Sequence, residues 1–302
     1  MSRKPSTFVT GATSPGEQDL FPFATLAERG RPAWPPGVRV ALMVVLHFEA
    51  MDFDAPAGIV SDPRWRERVW PDPRLQSFVE YGNRVALFRI LDTLDRLKLK
   101  VTVAADALAS ERYPHLVEQF RKRGYEIAAR GLAVNRMLSA TMPEDEERRT
   151  IAETIARIAQ ATGTTVRGWI GQDFGESPRT PRLLADAGIA WLADWPNDDE
   201  PYPMAGAGGI VSLPVAYEWD DMRLFIERRM QAWHYPPMLR DAFATLFAEG
   251  VNRPRVLPVS IHPWVFGAPH RFRYLDETLA LLATREGVWN ATASDIASCS
   301  TA

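Results

Sequence analysis

The sequence predicts an α/β fold: one domain in which short buried strands alternate with helices and close into an irregular seven-stranded (β/α) barrel. Its 302 residues, 46% of them hydrophobic, are enough to bury one large core. Short apolar segments alternate with amphipathic ones from Arg39 to Trp289, as right-handed βαβ crossovers require. Polar residues follow almost every predicted strand, where barrels of this kind gather their active sites.

The N-terminal 37 residues differ in composition from the rest of the chain. They are rich in Gly, Pro, Ser and Thr and end in a Pro-rich stretch. We therefore predict an extended N-terminal arm over 1–37, packed outside a single domain that spans 38–302.

Charge and cysteine content restrict the classes of partner. The formal net charge is -3, so nothing electrostatic favours nucleic acid or an anionic membrane. The chain has one cysteine, Cys299, which cannot form an internal disulfide, and we expect a reduced, cytoplasmic protein. The N-terminus lacks the apolar core of a signal peptide, and the longest apolar run, Val40 to Leu46, is too short to span a bilayer.

The first strand is predicted at 39–48, because this segment is apolar on both faces, as in a buried parallel strand. A long loop is expected from there to about Tyr81. It contains Trp65 and Trp70, and together with Phe78 these residues lie outside any predicted element. Large apolar side chains in such a position favour a homo-oligomer.

The other elements follow from apolar spacing and from helix start and stop signals. Asn83 is a plausible N-cap, Pro143 and the acidic residues after it suit a first turn, and Gly163 suits a helix end. Further strands are predicted at 100–105, 125–129, 166–170, 189–193, 209–213, 256–261 and 288–289. Helices are predicted at 83–98, 113–123, 143–162, 180–187, 237–249 and 274–284.

Polar side chains at the ends of these strands should meet at one mouth of the barrel. The alternative for any single one is a helix cap or a solvated loop charge. The set comprises His47, Glu49, Asp106, Arg130, Gln172, Asp173, Asp194, Asn197, Asp198, Asp199, Glu218, Asp220, Asp221 and His262.

Six segments occur in an order that is familiar from one protein family. Together they resemble the polysaccharide-deacetylase (NodB-homology) superfamily, and they look closest to its allantoinase-like and cyclic-imide-hydrolase-like branch. The likeness extends over about residues 32–298. The segments are 44–49 (VVLHFE), 81–85 (YGNRV), 126–131 (EIAARG), 167–171 (RGWIG), 194–202 (DWPNDDEPY) and 260–267 (SIHPWVFG).

The resemblance implies a barrel of the polysaccharide-deacetylase type and hydrolysis of acetamido groups on sugars or of small cyclic amides and ureides. Typical members hold a divalent metal with one carboxylate after the first strand and two His of a His-Gly-x-x-His motif after the third. A separate carboxylate activates water, and a late His protonates the leaving nitrogen.

This chain departs from that pattern at the metal motif. Arg130-Gly131 stands in place of His-Gly, Val134 stands four residues after Arg130, and Asn135 is a poor ligand. We therefore expect no cofactor, although a divalent metal bound by other residues stays open. As a permanent cation, Arg130 could take the charge position of the metal, hold a substrate carboxylate or polarise a carbonyl. It could equally form an ion pair with Glu49 in an inactive site.

The candidate catalytic residues are Glu49, His262, Arg130 and His47. His262 matches the late His of the family and is the expected general acid, with a structural histidine as the alternative. His47 lies two residues before Glu49, so their side chains point the same way along a strand, and a His47–Glu49 pair is a candidate base.

Five residues are candidates for substrate binding: Asp173, Asp194, Asp198, Trp195 and Trp264. An Asp there could position water or bind amide N–H groups, and the alternative is loop capping. Trp rings offer stacking surfaces for a flat ring or a sugar face, and the alternative is core packing.

Three functions are compatible with the sequence. The one we favour is a hydrolase of carbon–nitrogen bonds other than peptide bonds, acting on a small amide, cyclic imide or ureide without the two-His metal site. The second is a metal-dependent carbohydrate deacetylase with an unusual ligand set. The third is a non-catalytic relative that binds a ligand or serves as a structural subunit. The expected partners are a small-molecule substrate and further copies of the chain, with neither nucleic acid nor membrane.

Overall fold

The structure, a computed structural model, describes residues 18–21, 23–30, 33–54 and 71–300. Nine strands form one sheet in the order β6-β7-β5-β4-β3-β2-β1-β8, with β9 also paired to β1. The strands are β1 Val40–Phe48, β2 Thr102–Asp106, β3 Glu126–Gly131, β4 Gly168–Trp169, β5 Trp191–Leu192, β6 Tyr202–Pro203, β7 Val211–Ser212, β8 Arg255–Ile261 and β9 Val288–Ala291.

β1 is the centre of the sheet. On one side it pairs in parallel with β8 along most of its length. Its other edge is shared, because its first half pairs with β9 and its last four residues pair with β2. All nine residues of β1 are buried, which explains why the sequence is apolar on both faces.

Helices cover the outside of the sheet. They are α1 Pro73–Tyr81, α2 Leu87–Arg96, α3 Ala107–Arg112, α4 Pro114–Lys122, α5 Glu144–Thr162, α6 Thr180–Asp186, α7 Tyr235–Glu249, α8 Pro263–Phe266, α9 Pro269–Ala283 and α10 Ala293–Ser298. Alternate residues of β1 divide between two cores. Val44 and Leu46 pack with the helices, whereas Met43 and Val45 pack inside the curled sheet.

The predicted fold class is confirmed: the sheet curls into a half-barrel of mostly parallel strands. It has nine strands in place of the seven expected for the barrel. Each strand predicted along the chain has an observed counterpart, and the one strand without a prediction is the antiparallel, two-residue β6. The segment after β7 lies against β8, where the Trp219 indole N–H donates to the Pro258 carbonyl at 2.8 Å.

The helix expected to begin at Asn83 begins ten residues earlier. Asp72 is its N-cap, since its carboxylate accepts from the backbone N–H groups of Arg74 and Leu75. Asn83 lies instead in a π-helical turn, Gly82–Ala86, that joins α1 to α2. Such turns often occur at functional sites.

The described part of the arm contacts the domain at several points. The Leu20 carbonyl accepts from the backbone N–H of Ala205, and the Phe21 ring packs edge-on against Trp195 at 5.8 Å. The division into an arm and one domain at residue 37 stays a prediction. Within the described residues, no helix is both long and apolar enough to cross a membrane.

Candidate active site

A cleft lies at the C-terminal ends of the central strands, with free space of about 30 Å³, room for about two water molecules. Seven of the fourteen strand-end residues border it, among them the four candidate catalytic residues, so the predicted convergence at one mouth is seen in part. The lining residues are His47, Glu49, Arg130, Val134, Met137, Gln172, Asp173, Phe174, Asp220, Met222 and His262.

The backbone around Glu49 is fixed from two sides. The Asn83 side chain donates to the Glu49 carbonyl at 2.7 Å, which is why the π-helical turn lies beside the cleft. The Asp106 carboxylate accepts from the backbone N–H of Ala50 at 2.9 Å and also caps α3. Burial raises the pKa of Asp106 well above its ordinary value. Asp106 is thus a structural support rather than a group facing the cleft.

The Glu49 carboxylate is buried, with 2% of the residue exposed, and each of its oxygens has a partner. Arg130 Nη2 lies 2.7 Å from Glu49 Oε1, and the Trp264 indole N–H donates to Oε2 at 2.7 Å. A desolvated carboxylate needs such partners to remain charged. The site therefore contains a buried ion pair rather than an isolated acid.

Arg130 ends β3 and binds two residues of the first strand end. Besides Glu49, its guanidinium donates to His47 Nδ1. The glycine after it is required, because Gly131 has φ +136 and a Cβ there would lie 2.0 Å from the Gln172 side chain. Arginine has five N–H donors, and these two contacts leave donors for a ligand in the cleft.

His47 is held as a neutral imidazole with a defined tautomer. Because Arg130 can only donate, His47 Nδ1 accepts, and Nε2 carries the hydrogen that faces Ser260 Oγ at 2.7 Å. Burial, and then the neighbouring charges of His262 and Arg130, lower the pKa of His47 well below its ordinary value. Both ring nitrogens are engaged, and Arg130 stands between His47 and Glu49.

His262 is oriented by a buried carboxylate. Asp221 accepts from the His262 backbone N–H at 2.8 Å and from its Nδ1 at 2.6 Å. Burial alone lowers the pKa of His262, but Asp221 and then Glu49 outweigh it and raise that pKa above its ordinary value. Burial raises the pKa of Asp221 to about 6. The raised pKa of His262 favours its protonated form beside this carboxylate.

The two imidazoles stack with ring centres 3.8 Å apart and an interplanar angle of 4°. Two charged rings at this distance would repel each other, and the neighbouring charge of His262 is one of the causes that lower the pKa of His47. His262 Nε2 lies 3.8 Å from Glu49 Oε1, beyond hydrogen-bond distance. A water molecule or a substrate atom can therefore contact both groups.

The predicted substrate-binding residues divide into two groups. Asp173 borders the cleft and pairs with Arg223, and Trp264 reaches the site through its bond to Glu49. Asp194, Trp195 and Asp198 do not border the cleft. Asp194 accepts from a backbone N–H, Trp195 donates to Glu176 and Asp198 forms an ion pair with Arg29.

Two residues at the site were given no role from the sequence. Ser260 lies two residues before His262 on β8, so the strand period alone could have placed it beside the cleft. Asp221 was included among the strand-end residues but not assigned. It lies 41 residues from His262 along the chain, and no local pattern links the two.

In the described part of the chain, two groups of three side chains could each offer a metal ion three ligand atoms that lie within 4.8 Å of one another. The first group is His47, Glu49 and His262, and the second is Asp220, Asp221 and His262. In the first set Arg130 binds both His47 and Glu49, and in the second Asp221 already accepts two hydrogen bonds from His262. The potential metal ligands of both groups are thus already engaged by other protein groups. In the first group the engaging residue is Arg130, a permanent cation.

Residues 77–189 match the family model for polysaccharide deacetylase. This segment is therefore similar to a polysaccharide deacetylase domain. A curated protein of Schizosaccharomyces pombe named "Putative polysaccharide deacetylase" is 25% identical over 299 residues, covering 87% of this chain and 91% of its own. The predicted resemblance to this family is thereby confirmed.

Two solved structures resemble most of this chain. PuuE allantoinase is 26% identical with a TM-score of 0.79, covering 90% of this chain and 93% of its own. A probable polysaccharide deacetylase from Pseudomonas aeruginosa PAO1 is 26% identical with a TM-score of 0.80, covering 90% and 94%. These relationships support a hydrolase of carbon–nitrogen bonds.

Proposed function

We propose that the protein hydrolyses a non-peptide C–N bond in a small amide, cyclic imide or ureide, with Arg130 in the charge position that a metal occupies in typical deacetylases. The observation that carries this proposal is the meeting of Glu49, Arg130 and His262 in one cleft. Each is at most 4% exposed, and His262 is backed by Asp221.

The proposed reaction divides three tasks among these residues. Glu49 accepts a proton from the water that attacks the substrate carbonyl carbon. Donors of Arg130 that are not used by Glu49 or His47 stabilise the oxyanion that forms. When the C–N bond breaks, His262 transfers the proton on Nε2 to the departing nitrogen, which suits a group that titrates near neutral pH.

The geometry favours Glu49 over His47 as the base. His47 Nδ1 already accepts from Arg130, and its Nε2 carries a hydrogen directed at Ser260. A proton from water would have to displace one of these contacts and would place a second charge beside Arg130. We therefore assign His47 the role of positioning Arg130.

The residues present do not fit the usual metal. A cation held by His47 and Glu49 would lie against the guanidinium of Arg130, and no step of the proposed reaction passes through a metal.

A specific observation also favours the non-catalytic alternative. Both oxygens of Glu49 have protein partners, so the base must exchange a contact before it accepts a proton. In that case the cleft would bind a small ligand through Arg130 and His262 without turning it over. The same variants distinguish the two functions.

The experiment is a hydrolysis screen of the purified protein over ureides, cyclic imides and acetamido sugars, followed by variants on any substrate found. Glu49→Gln, His262→Gln and Arg130→Met should each lower kcat/KM by roughly a hundredfold or more. The matched control is Glu118→Gln, which removes an exposed carboxylate on α4 paired with Arg121 and should leave the rate unchanged.

Thermal melting of each variant identifies losses that are due to unfolding. Near-normal rates for both Arg130→Met and His262→Gln in folded protein would contradict the mechanism. Ligand binding by calorimetry without turnover of any bound compound would establish the non-catalytic function instead.

A further inference from the structure

Two acidic side chains outside the proposed reaction are buried against each other behind the cleft. Asp194, only 5% exposed, directly follows the β5 region, and Glu176 lies in the segment between β4 and α6. Asp194 Oδ1 accepts from the backbone N–H of Gly171 at 2.8 Å. Glu176 Oε2 accepts from the Trp195 indole N–H at 2.9 Å.

The other oxygen of each carboxyl group, Asp194 Oδ2 and Glu176 Oε1, is buried. No group in the described part of the chain donates to either atom. Each carboxyl group acts directly on the pKa of the other, so the two are neighbours, and two ionised carboxylates could not form a hydrogen bond because both are acceptors only. Such a bond therefore requires one proton between these two oxygens.

We propose that Glu176 and Asp194 share one proton at neutral pH and that this acid pair is a positioning device for the loop that forms one wall of the cleft. Glu176 carries the proton and donates a hydrogen bond to the ionised Asp194. The inference concerns the shape of the cleft and does not depend on which reaction the cleft performs.

The pair ties the two ends of that loop together. Gly171, whose N–H binds Asp194, begins the loop, and Glu176 ends it. Between them lie three residues that line the cleft: Gln172, Asp173 and Phe174. Gly171 packs closely on the pair, since a Cβ there would lie 3.3 Å from Asp194 Oδ2.

The backbone of this loop is strained. Asp173 has φ 52 and Phe174 has φ 56, two consecutive non-glycine residues in the left-handed region. Each such residue costs on the order of 1 kcal/mol or more and persists only when its surroundings hold it. The Gln172 side chain donates to the Ala133 carbonyl and Asp173 pairs with Arg223, and the acid pair adds a tie at the two ends of the loop.

The charges around the pair explain which acid is protonated. Arg130 on β3 acts on Asp194 and favours its ionised form. On the other side, Glu147 of α5 acts on Glu176 and disfavours its ionisation. Burial, and then Asp194, raise the pKa of Glu176 well above its ordinary value, whereas burial raises the pKa of Asp194 to about 6. Glu147 itself is bound by Ser177, Thr180 and Arg179.

Amide variants test the shared proton. In Glu176→Gln, the amide oxygen can accept from Trp195 and the NH2 group can donate to Asp194, so the tie is kept without a proton. In Asp194→Asn, the amide oxygen can accept from Gly171 and the NH2 group can donate to an ionised Glu176. In the double variant two NH2 groups face each other and the tie is lost.

We expect both single variants to unfold in urea near the wild-type midpoint at neutral pH. The double variant should lose about 5- to 150-fold in its folding equilibrium constant, the effect of leaving a buried donor unpaired. Infrared spectroscopy should show the C=O stretch of a protonated carboxylic acid in the wild type, and both single variants should lose its intensity.

The pH dependence gives a further readout. A raised folded-state pKa contributes stability at low pH that is lost as pH rises through that value. Wild-type stability should therefore decline toward alkaline pH by an amount that Glu176→Gln does not show. Additive effects of the two substitutions, or an unchanged acid band in Glu176→Gln, would overturn the proposal.

Discussion

Replacing Asp221 by Asn tests whether His262 is a poised acid. Asp221 accepts from the backbone N–H and from Nδ1 of His262, at 2.8 and 2.6 Å. Asn offers one oxygen and one NH2 group, so one of these two donors would face another donor. The variant also removes the carboxylate that contributes most to keeping the pKa of His262 above its ordinary value, while the burial that lowers this pKa is unchanged.

The size of the effect follows from the interaction removed. A hydrogen bond to a charged group contributes about 1.5–3 kcal/mol, which corresponds to a roughly 10- to 150-fold loss in kcat/KM. The Coulomb energy of unit charges about 4 Å apart, about 4 kcal/mol at an effective dielectric constant of 20, is an upper bound. We therefore expect Asp221→Asn to lower kcat/KM by roughly ten- to 150-fold at neutral pH.

The pH profile is the decisive assay, measured as kcat/KM on a substrate found in the hydrolysis screen. The wild type should show a bell: activity rises as Asp221 ionises near its pKa of about 6 and falls as His262 loses its proton at higher pH. Asp221→Asn should move the alkaline limb to lower pH. An alkaline limb that stays in place in folded variant protein would refute the assignment of His262 as the acid that Asp221 tunes. Asp95→Asn, which removes an exposed partner of Arg123, is the control.

Three further predictions concern packing, metal content and assembly. Gly82→Ala should lower the free energy of unfolding by about 1–3 kcal/mol, because its Cβ would lie 2.8 Å from the Trp264 backbone nitrogen. The control is Gly30→Ala, whose Cβ would meet nothing within 4 Å, and urea unfolding compares the two variants. Elemental analysis of protein purified without chelators should find no stoichiometric zinc, nickel or manganese, and metal held by His47 and Glu49 would show the ligand set to be misread. Light scattering at micromolar concentration should give a mass above the monomer. Of the apolar residues behind this last prediction, Phe78 is 40% exposed beside Trp264, whereas Trp65 and Trp70 lie outside the described residues.

The parts of the fold that local physics determines were predictable from the sequence. The helix expected at 143–162 is observed as Glu144–Thr162, with four acidic residues in its first turn and Gly163 at φ 71 as its end. The first strand is observed within one residue of its predicted bounds. In both cases the signals act within a few residues of the element they define.

What the sequence could not give depends on contacts between distant segments. The start of α1 was missed because Asp72 lies in a Pro- and Trp-containing stretch that looks like loop, and its capping role shows only in the fold. Asn83 precedes a run of apolar residues at helical spacing, which predicts a helix N-cap. In the structure its side chain donates to the Glu49 carbonyl instead. β6, with two residues, has no periodicity to detect, whereas β4, β5 and β7 lie inside longer segments that were predicted as strands.

Arg130 is more than a histidine replaced in an otherwise unchanged metal site. Its guanidinium is held by Glu49 on one side and by His47 Nδ1 on the other. This second contact fixes the tautomer of His47, and Ser260 accepts the hydrogen on its other ring nitrogen. Restoring a histidine at position 130 alone would leave Val134 where a second imidazole is needed and would remove the partner of a buried Glu49. The neighbouring side chains are thus arranged around an arginine, as the proposed hydrolysis without the two-His metal motif requires.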